Sequence, residues 1–171
     1  MDVFPPLHSM PAPTAPSPEI WRPHVTVACV VADAGHYLMV EEEVAGRMVC
    51  NQPAGHLEDG ETLAAAAVRE TLEETGWTVA LQHLIGVQQW RSSEHGEAVI
   101  RFSFAARALE HDADRPLDTG IRRALWMTRD EIADLGERLR SPLVLASIDA
   151  WLAGQRLPLS SLSWVPGGPR E

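Results

Sequence analysis

The sequence predicts an α/β (α+β) domain built on a mixed β-sheet. Three observations lead there. Runs of apolar and β-branched residues dominate both halves of the chain, one helical stretch interrupts them near the middle, and one or two helical patterns follow near the end. The 171 residues are enough for one domain with a real core and too few for two comfortable ones. At 45% hydrophobic and 22% charged, the chain has an ordinary globular composition.

Residues 1–20 carry Pro5, Pro6, Pro11, Pro13, Pro16 and Pro18. Such a segment can build neither a helix interior nor a central strand, and reads as a flexible, partly extended leader. The domain is expected over residues 21–160, with a tail at 161–171. His24 to Ala32 (HVTVACVVA) is apolar or β-branched at nearly every position, which suits a strand buried on both faces. Asp33-Ala34-Gly35 turns the chain into a second strand, Tyr37 to Val40, which runs into Glu41, Glu42 and Glu43, read as a solvated strand end. Ala45-Gly46 is a second turn and Arg47 to Cys50 a short strand. Asn51 to Gly55 reads as loop from its proline and glycine. Thr78 to Trp90 is a strand, followed by a polar loop from Arg91 to Gly96. In the next strand Ala98, Ile100, Phe102 and Phe104 alternate with Val99, Arg101 and Ser103. Ala124 to Met127 is a short strand after a polar loop, His111 to Gly120. Thr128 to Glu131 has capping-box spacing, so a helix starts there. Ser141-Pro142 reads as an N-cap before a helix that Gly154 can end.

The central helix poses an electrostatic problem. At about 100° per residue, Glu70, Glu73 and Glu74 fall within an arc of roughly 100°. Val68 and Leu72 are expected opposite them, toward the core, and Ala64 to Ala67 let the helix approach the sheet closely. Gly76 fits the left-handed position after a helix end. The carboxylates therefore sit near the helix C-terminus, where the macrodipole disfavours anions. Every local term opposes this cluster unless a cation is present, and a hard divalent ion such as Mg²⁺ or Mn²⁺ takes oxygen ligands. Arg69 can pair with a neighbouring carboxylate, and Glu61 can reach Arg69 across two turns.

The remaining features exclude more than they assign. A formal charge of −10 with no Lys or Arg cluster argues against long nucleic acid as a partner. No apolar run is long enough to span a membrane, and no secretory signal appears. Cys29 and Cys50 form no zinc-ligand pattern and read as free, partly buried thiols in a reducing compartment, with cytoplasm as the default location.

Gly55, five residues, Glu61, seven residues, Arg69-Glu70, Thr71, Leu72, Glu73-Glu74, Thr75, Gly76 and Trp77 follow one another in an order that resembles the signature of the Nudix family, G-x5-E-x7-R-E-U-x-E-E-x-G-U, where U is a bulky apolar residue. All seven fixed positions match; Thr71 departs, standing where an aliphatic residue is expected. The resemblance implies an α/β/α sandwich in which a loop-helix-loop holds divalent metal, Mg²⁺ or Mn²⁺, against a small phosphorylated substrate. It implies that Glu70, Glu73 and Glu74 are metal ligands, one of them acting as general base through water. It also implies that the Gly55 carbonyl joins the metal shell and that Glu61 and Arg69 support the site. PHVTVACVV, NQPAGHLE, LRSPLV and GQRLPL are similar to one small bacterial branch of the family. That branch implies release of orthophosphate from nucleoside tri- and diphosphates, hydroxymethylpyrimidine pyrophosphate and thiamine pyrophosphate. Cys50 departs where that branch has a tryptophan. Asn51, Gln52, Trp90 and Arg101 are candidates for substrate contact, His56 is a polar loop residue beside the phosphates, and Asp118 is a candidate further carboxylate. A nucleotide-sugar or dinucleotide polyphosphate hydrolase, and a non-catalytic ligand-binding module, stay open at this point.

Overall fold

The computed structural model describes residues 20–92 and 96–165. In chain order these form β1 (His24–Asp33), β2 (His36–Val44), β3 (Arg47–Asn51), β4 (Ala54–His56), α1 (Leu63–Thr75), β5 (Trp77–Arg91), β6 (Ala98–His111), β7 (Ile121–Thr128), α2 (Arg129–Asp134) and α3 (Leu143–Leu152), with 3₁₀ turns at Gly136–Arg138 and Leu159–Ser161. The proline-rich leader, Ile20 apart, lies outside the described residues, as do 93–95 of the polar loop and 166–171 of the tail. Among the described residues no helix is long and apolar enough to cross a membrane.

β1 is the spine of a mixed sheet. It runs parallel to β6 from His24 to Val31, and its first half pairs antiparallel with β4 on the other edge. Only Ala32 and Asp33 at its far end pair with β2, which is itself flanked by β3 and β7. β5 completes the β6 side. The two strands therefore diverge from a shared hairpin, and the space between them is where the site forms. Both hairpin turns hold two residues at positive φ, Ala34 and Gly35 (45° and 82°) and Ala45 and Gly46 (50° and 76°), whose twist matches that of the strands they join.

The sheet is covered on both faces, which makes three layers. Val27, Cys29, Val31 and Phe104 face α1, packing on Ala66 and Ala67, while Val30, Tyr37 and Ala105 face α2 and α3 through Ile132, Val144 and Ile148. Ala66 and Ala67 are almost completely buried, so their small side chains set how near α1 lies to the sheet. Trp77 stacks on His111 and meets Trp126 edge-on. Cys29 and Cys50 are both free and buried, and burial pushes their thiols up to about 12 and about 11, leaving them protonated and unreactive.

Three expectations change. Ala54–His56 is strand rather than loop, because it pairs with Thr26 to Ala28 from far away in sequence. Val68, partly buried, packs against the core as expected, but Leu72 is only partly buried, and the buried side of α1 is Ala66, Ala67, Glu70, Thr71, Glu74 and Thr75. Thr71 is completely buried there, with its hydroxyl donating to the Ala67 carbonyl at 2.8 Å, so the polar group at this normally aliphatic position is satisfied within the helix. Ser141 does not cap α3. Pro142 holds the cap position without a side-chain bond, and the buried Ser141 hydroxyl has no partner. The capping box at Thr128 and Glu131 is present.

Ala34 adopts a left-handed conformation at φ 45° in an exposed turn. Ala34→Asn is expected to stabilise the protein by roughly 0.5–1 kcal/mol, because asparagine tolerates that conformation better than alanine. A urea unfolding midpoint no higher than that of the parent would contradict this.

Candidate active site

α1 is fixed at both ends before its carboxylates are placed. Thr62 accepts from the Ala65 amide at 3.1 Å at the N-terminus. Gly76 closes the C-terminus at φ 71°, donating to the Leu72 carbonyl at 2.9 Å. A side chain at Gly76 would meet the Asp112 carbonyl 2.6 Å away, so glycine also permits the loop after β6 to close against the helix end. That loop is held by Asp112 N donating to Gly76 O at 2.9 Å and by Asp118 N donating to Glu73 O at 3.1 Å. Two backbone bonds thus carry Asp118, 44 residues after Glu74 in sequence, to the acidic end of α1.

Arg69 organises the carboxylates. It clasps Glu61 through two bonds, Nη2 to Oε1 at 2.7 Å and Nε to Oε2 at 3.1 Å. Its Nη1 donates to both Glu70 and Glu73 at 2.9 Å, and Nη2 also reaches the His56 carbonyl at 3.2 Å. Glu61 in turn accepts from the Glu58 amide at 2.8 Å, which ties the loop before α1 to the same cluster. The Arg69 bonds hold the Glu61 carboxyl below the usual range.

Glu70, Glu73 and Asp118 each present a carboxylate oxygen, and these oxygens lie within 4.8 Å of one another. Three hard oxygen donors converging on one point fit a divalent cation of the Mg²⁺, Mn²⁺ or Ca²⁺ type. A side chain at Gly55 would overlap the Glu70 carboxylate, so this position must be glycine for β4 to lie against the cluster. Glu74 is placed differently. It is nearly buried and accepts from the Ala54 amide at 2.9 Å. Burial pushes its carboxyl up to about 8, against the opposing pull of that amide, while burial also raises Glu70 and the Arg69 bond opposes it.

The cluster adjoins a cleft of about 860 Å³ between the sheet and the α2–α3 connection. Of the candidate substrate residues, Asn51, Trp90, Arg101 and His56 line it, together with Gly55. Gln52 does not; it is buried, its amide donating to the Val144 carbonyl at 3.0 Å and so fixing the β3–β4 connection to α3. Cys50 packs in the core beneath α3 and is likewise absent from the cleft wall. His24 and His56 approach to 3.3 Å at the cleft rim. Sequence reasoning missed Thr26, His24 and Arg140 as cleft residues and took Ser141 for a cap. No local signal marks them, since strand register and the path of the α2–α3 connection bring them there.

The NUDIX domain family matches residues 22–147. Phosphatase NudJ of Escherichia coli K12 is 43% identical over 143 residues, covering 84% of this chain and 92% of that protein. A NUDIX hydrolase from Nitrosomonas europaea superposes with a TM-score of 0.84 at 42% identity, covering 86% of this chain and all of that one. A C. elegans Ap4A hydrolase shares the fold at 20% identity and a TM-score of 0.58, covering 77% of this chain and 98% of its own.

The raised Glu74 pKa makes a stability prediction for the metal-free protein. A carboxyl held at about 8 when folded and near 4.5 when unfolded contributes stability below pH 4.5 that is lost as pH rises through 8. Glu70 and Glu42, also raised by burial, act in the same direction. In EDTA, the melting temperature of Glu74→Gln is therefore expected to fall less between pH 5 and pH 8.5 than that of the parent. Parallel melting curves across that range would show that Glu74 is ionised at no cost.

Proposed function

The chain belongs to the Nudix family and is a Nudix hydrolase, and we propose that it releases orthophosphate from nucleoside tri- and diphosphates and from small pyrophosphates such as hydroxymethylpyrimidine pyrophosphate and thiamine pyrophosphate, with Mg²⁺ as its cofactor and Mn²⁺ as a substitute. The observation that carries this reading is the convergence of Glu70, Glu73 and Asp118 at the Gly55 side of the cleft. The similarity to phosphatase NudJ along almost its whole length supports the choice of substrates.

The division of labour follows from the chemistry of each group. Glu70, Glu73 and Asp118, with the Gly55 carbonyl, would hold the cation. Such an ion would supply Lewis-acid neutralisation of phosphate oxygens and of the charge developing on the leaving group. Glu74, the last glutamate of the signature, stands beside this set, its carboxyl pushed up to about 8 by burial. It is the group best matched to accept a proton from an attacking water near neutral pH. Water then attacks phosphorus in line with the departing oxygen. Glu61 and Arg69 do not touch substrate; they hold the carboxylates in register. Asn51 and Trp90 line the cleft that takes the organic group, and the half-buried Trp90 ring offers a planar base or pyrimidine a surface to stack on. Gln52 serves from behind by fixing to α3 the β3–β4 connection between Asn51 and Gly55.

Phosphate release from a panel of ADP, ATP, thiamine pyrophosphate, ADP-ribose and a dinucleotide polyphosphate, with and without Mg²⁺, tests the reading. Mg²⁺-dependent orthophosphate is expected from the first three. Turnover confined to the last two would overturn the substrate assignment and leave a hydrolase. Glu73→Gln is expected to lower kcat at least a hundredfold with an unchanged circular dichroism spectrum; a smaller loss would remove Glu73 from the metal site.

A further inference from the structure

Arg101 is a buried charge at the cleft. It lies on β6 directly opposite Thr26 in the parallel ladder with β1. Strand alternation places Val99 and Arg101 on one face with His24 and Thr26 of β1 and with Gln88 and Trp90 of β5. Farther along, α3 covers this face, where Ser103 and Ser147 approach to 3.2 Å. Before α3 is reached, the face forms the floor of the cleft.

Arg101 is 6% exposed, yet its Nε and Nη1 have no hydrogen-bond partner. Burial lowers its pKa to about 10, so it remains charged near neutrality. A buried guanidinium without bonded partners is costly unless something binds it. The neighbouring groups share the deficit. Thr26 and Ser141, both nearly buried, line the same cleft with hydroxyls that have no partner. Arg140 lines it too, near enough to Arg101 to depress its proton affinity further. Arg140, exposed at the cleft wall, forms an ion pair with Glu42 at 3.7 Å, too long for a hydrogen bond, so its donors stay available. Glu42 and Glu74 act on Arg101 through space without bonding it. Four donors in one cleft, two of them cations held against mutual repulsion, match a compact anion rich in acceptor oxygens.

We propose that Arg101, Arg140, Thr26 and Ser141 form a phosphoryl-binding subsite on the floor of the cleft that operates without metal and seats one phosphate of the substrate. The inference deepens the hydrolase reading and rests on it for the identity of the anion as a substrate phosphate. Glu70, Glu73 and Asp118 then hold the cation at one end of the cleft, while the subsite anchors the phosphate chain by direct donors. Substrate affinity is thereby divided between a metal-dependent and a metal-independent part.

The test is titration of inorganic phosphate into the metal-free full chain, in EDTA at constant ionic strength, followed by calorimetry and ³¹P line broadening. Saturable binding is expected in the parent. Arg101→Met should weaken it at least tenfold, Arg101→Lys should recover part of the loss, and Ser141→Ala should weaken it about threefold. Glu73→Gln should leave it within twofold. Arg101→Met is also expected to raise the melting temperature in phosphate-free buffer, since an unpartnered charge leaves the interior, and this reports on its folding. With ADP and Mg²⁺, Arg101→Met should raise KM far more than it lowers kcat. Absence of saturable phosphate binding in the parent, or equal binding by Arg101→Met, overturns the subsite even if the panel above confirms the hydrolase. Arginine-dependent phosphate binding without turnover of any diphosphate would keep the subsite and overturn the hydrolytic reading of the cleft.

Discussion

The site depends on the clasp between Arg69 and Glu61. That bidentate pair spans two turns of α1 and leaves Nη1 free to bridge Glu70 and Glu73, so one guanidinium holds three carboxylates at 2.7 to 2.9 Å. Glutamates spaced along the C-terminal half of a helix repel one another and the helix dipole. Arg69 offsets part of that repulsion and fixes the direction in which the carboxylates point. The same clasp gathers the loop before the helix, through Glu58 and His56, so that Gly55 is brought against Glu70. Loss of the clasp would release the loop and the carboxylates together.

Around that clasp the molecule separates two electrostatic regions. At the Gly55 end, acidic groups converge; along the sheet floor lie buried donors without a hydrogen-bond partner. An overall charge of −10 gives no hint of this division, because it sums over a surface that has no part in it. On the proposed reading, a diphosphate with its metal would supply partners to both regions at once. Each region alone is destabilising by burial of charge, and the raised carboxyls of Glu70 and Glu74 together with the lowered Arg101 express the same cost with opposite signs. Both regions use the three-layer core as a wall.

The divergence of β1 and β2 from one hairpin creates the room for this arrangement. Because β1 pairs with β4 over its first half and with β2 only at its end, the sheet opens beside Gly55. Small residues then regulate distance. Ala66 and Ala67 bring α1 close to the sheet, Gly55 lets β4 meet Glu70, and Gly76 lets the loop bearing Asp118 meet the helix end.

The sequence by itself determined the helix, its glycine stop, the acidic face and the Glu61–Arg69 link, since all of these follow from spacing along a single helix and the loop that enters it. Most strands were legible too, through their β-branched and apolar runs. Tertiary structure decided what depends on partners distant in the chain. The pairing of β4 with β1 turned an expected loop into strand. The backbone bonds of the loop after β6 brought Asp118 to Glu73. The ladder between β1 and β6 set Arg101 beside Thr26, and the path into α3 buried Ser141 while turning Gln52 into a structural tie. The physical reason is common to all of these: spacing fixes direction within one element, whereas register and loop closure are fixed only when the elements pack.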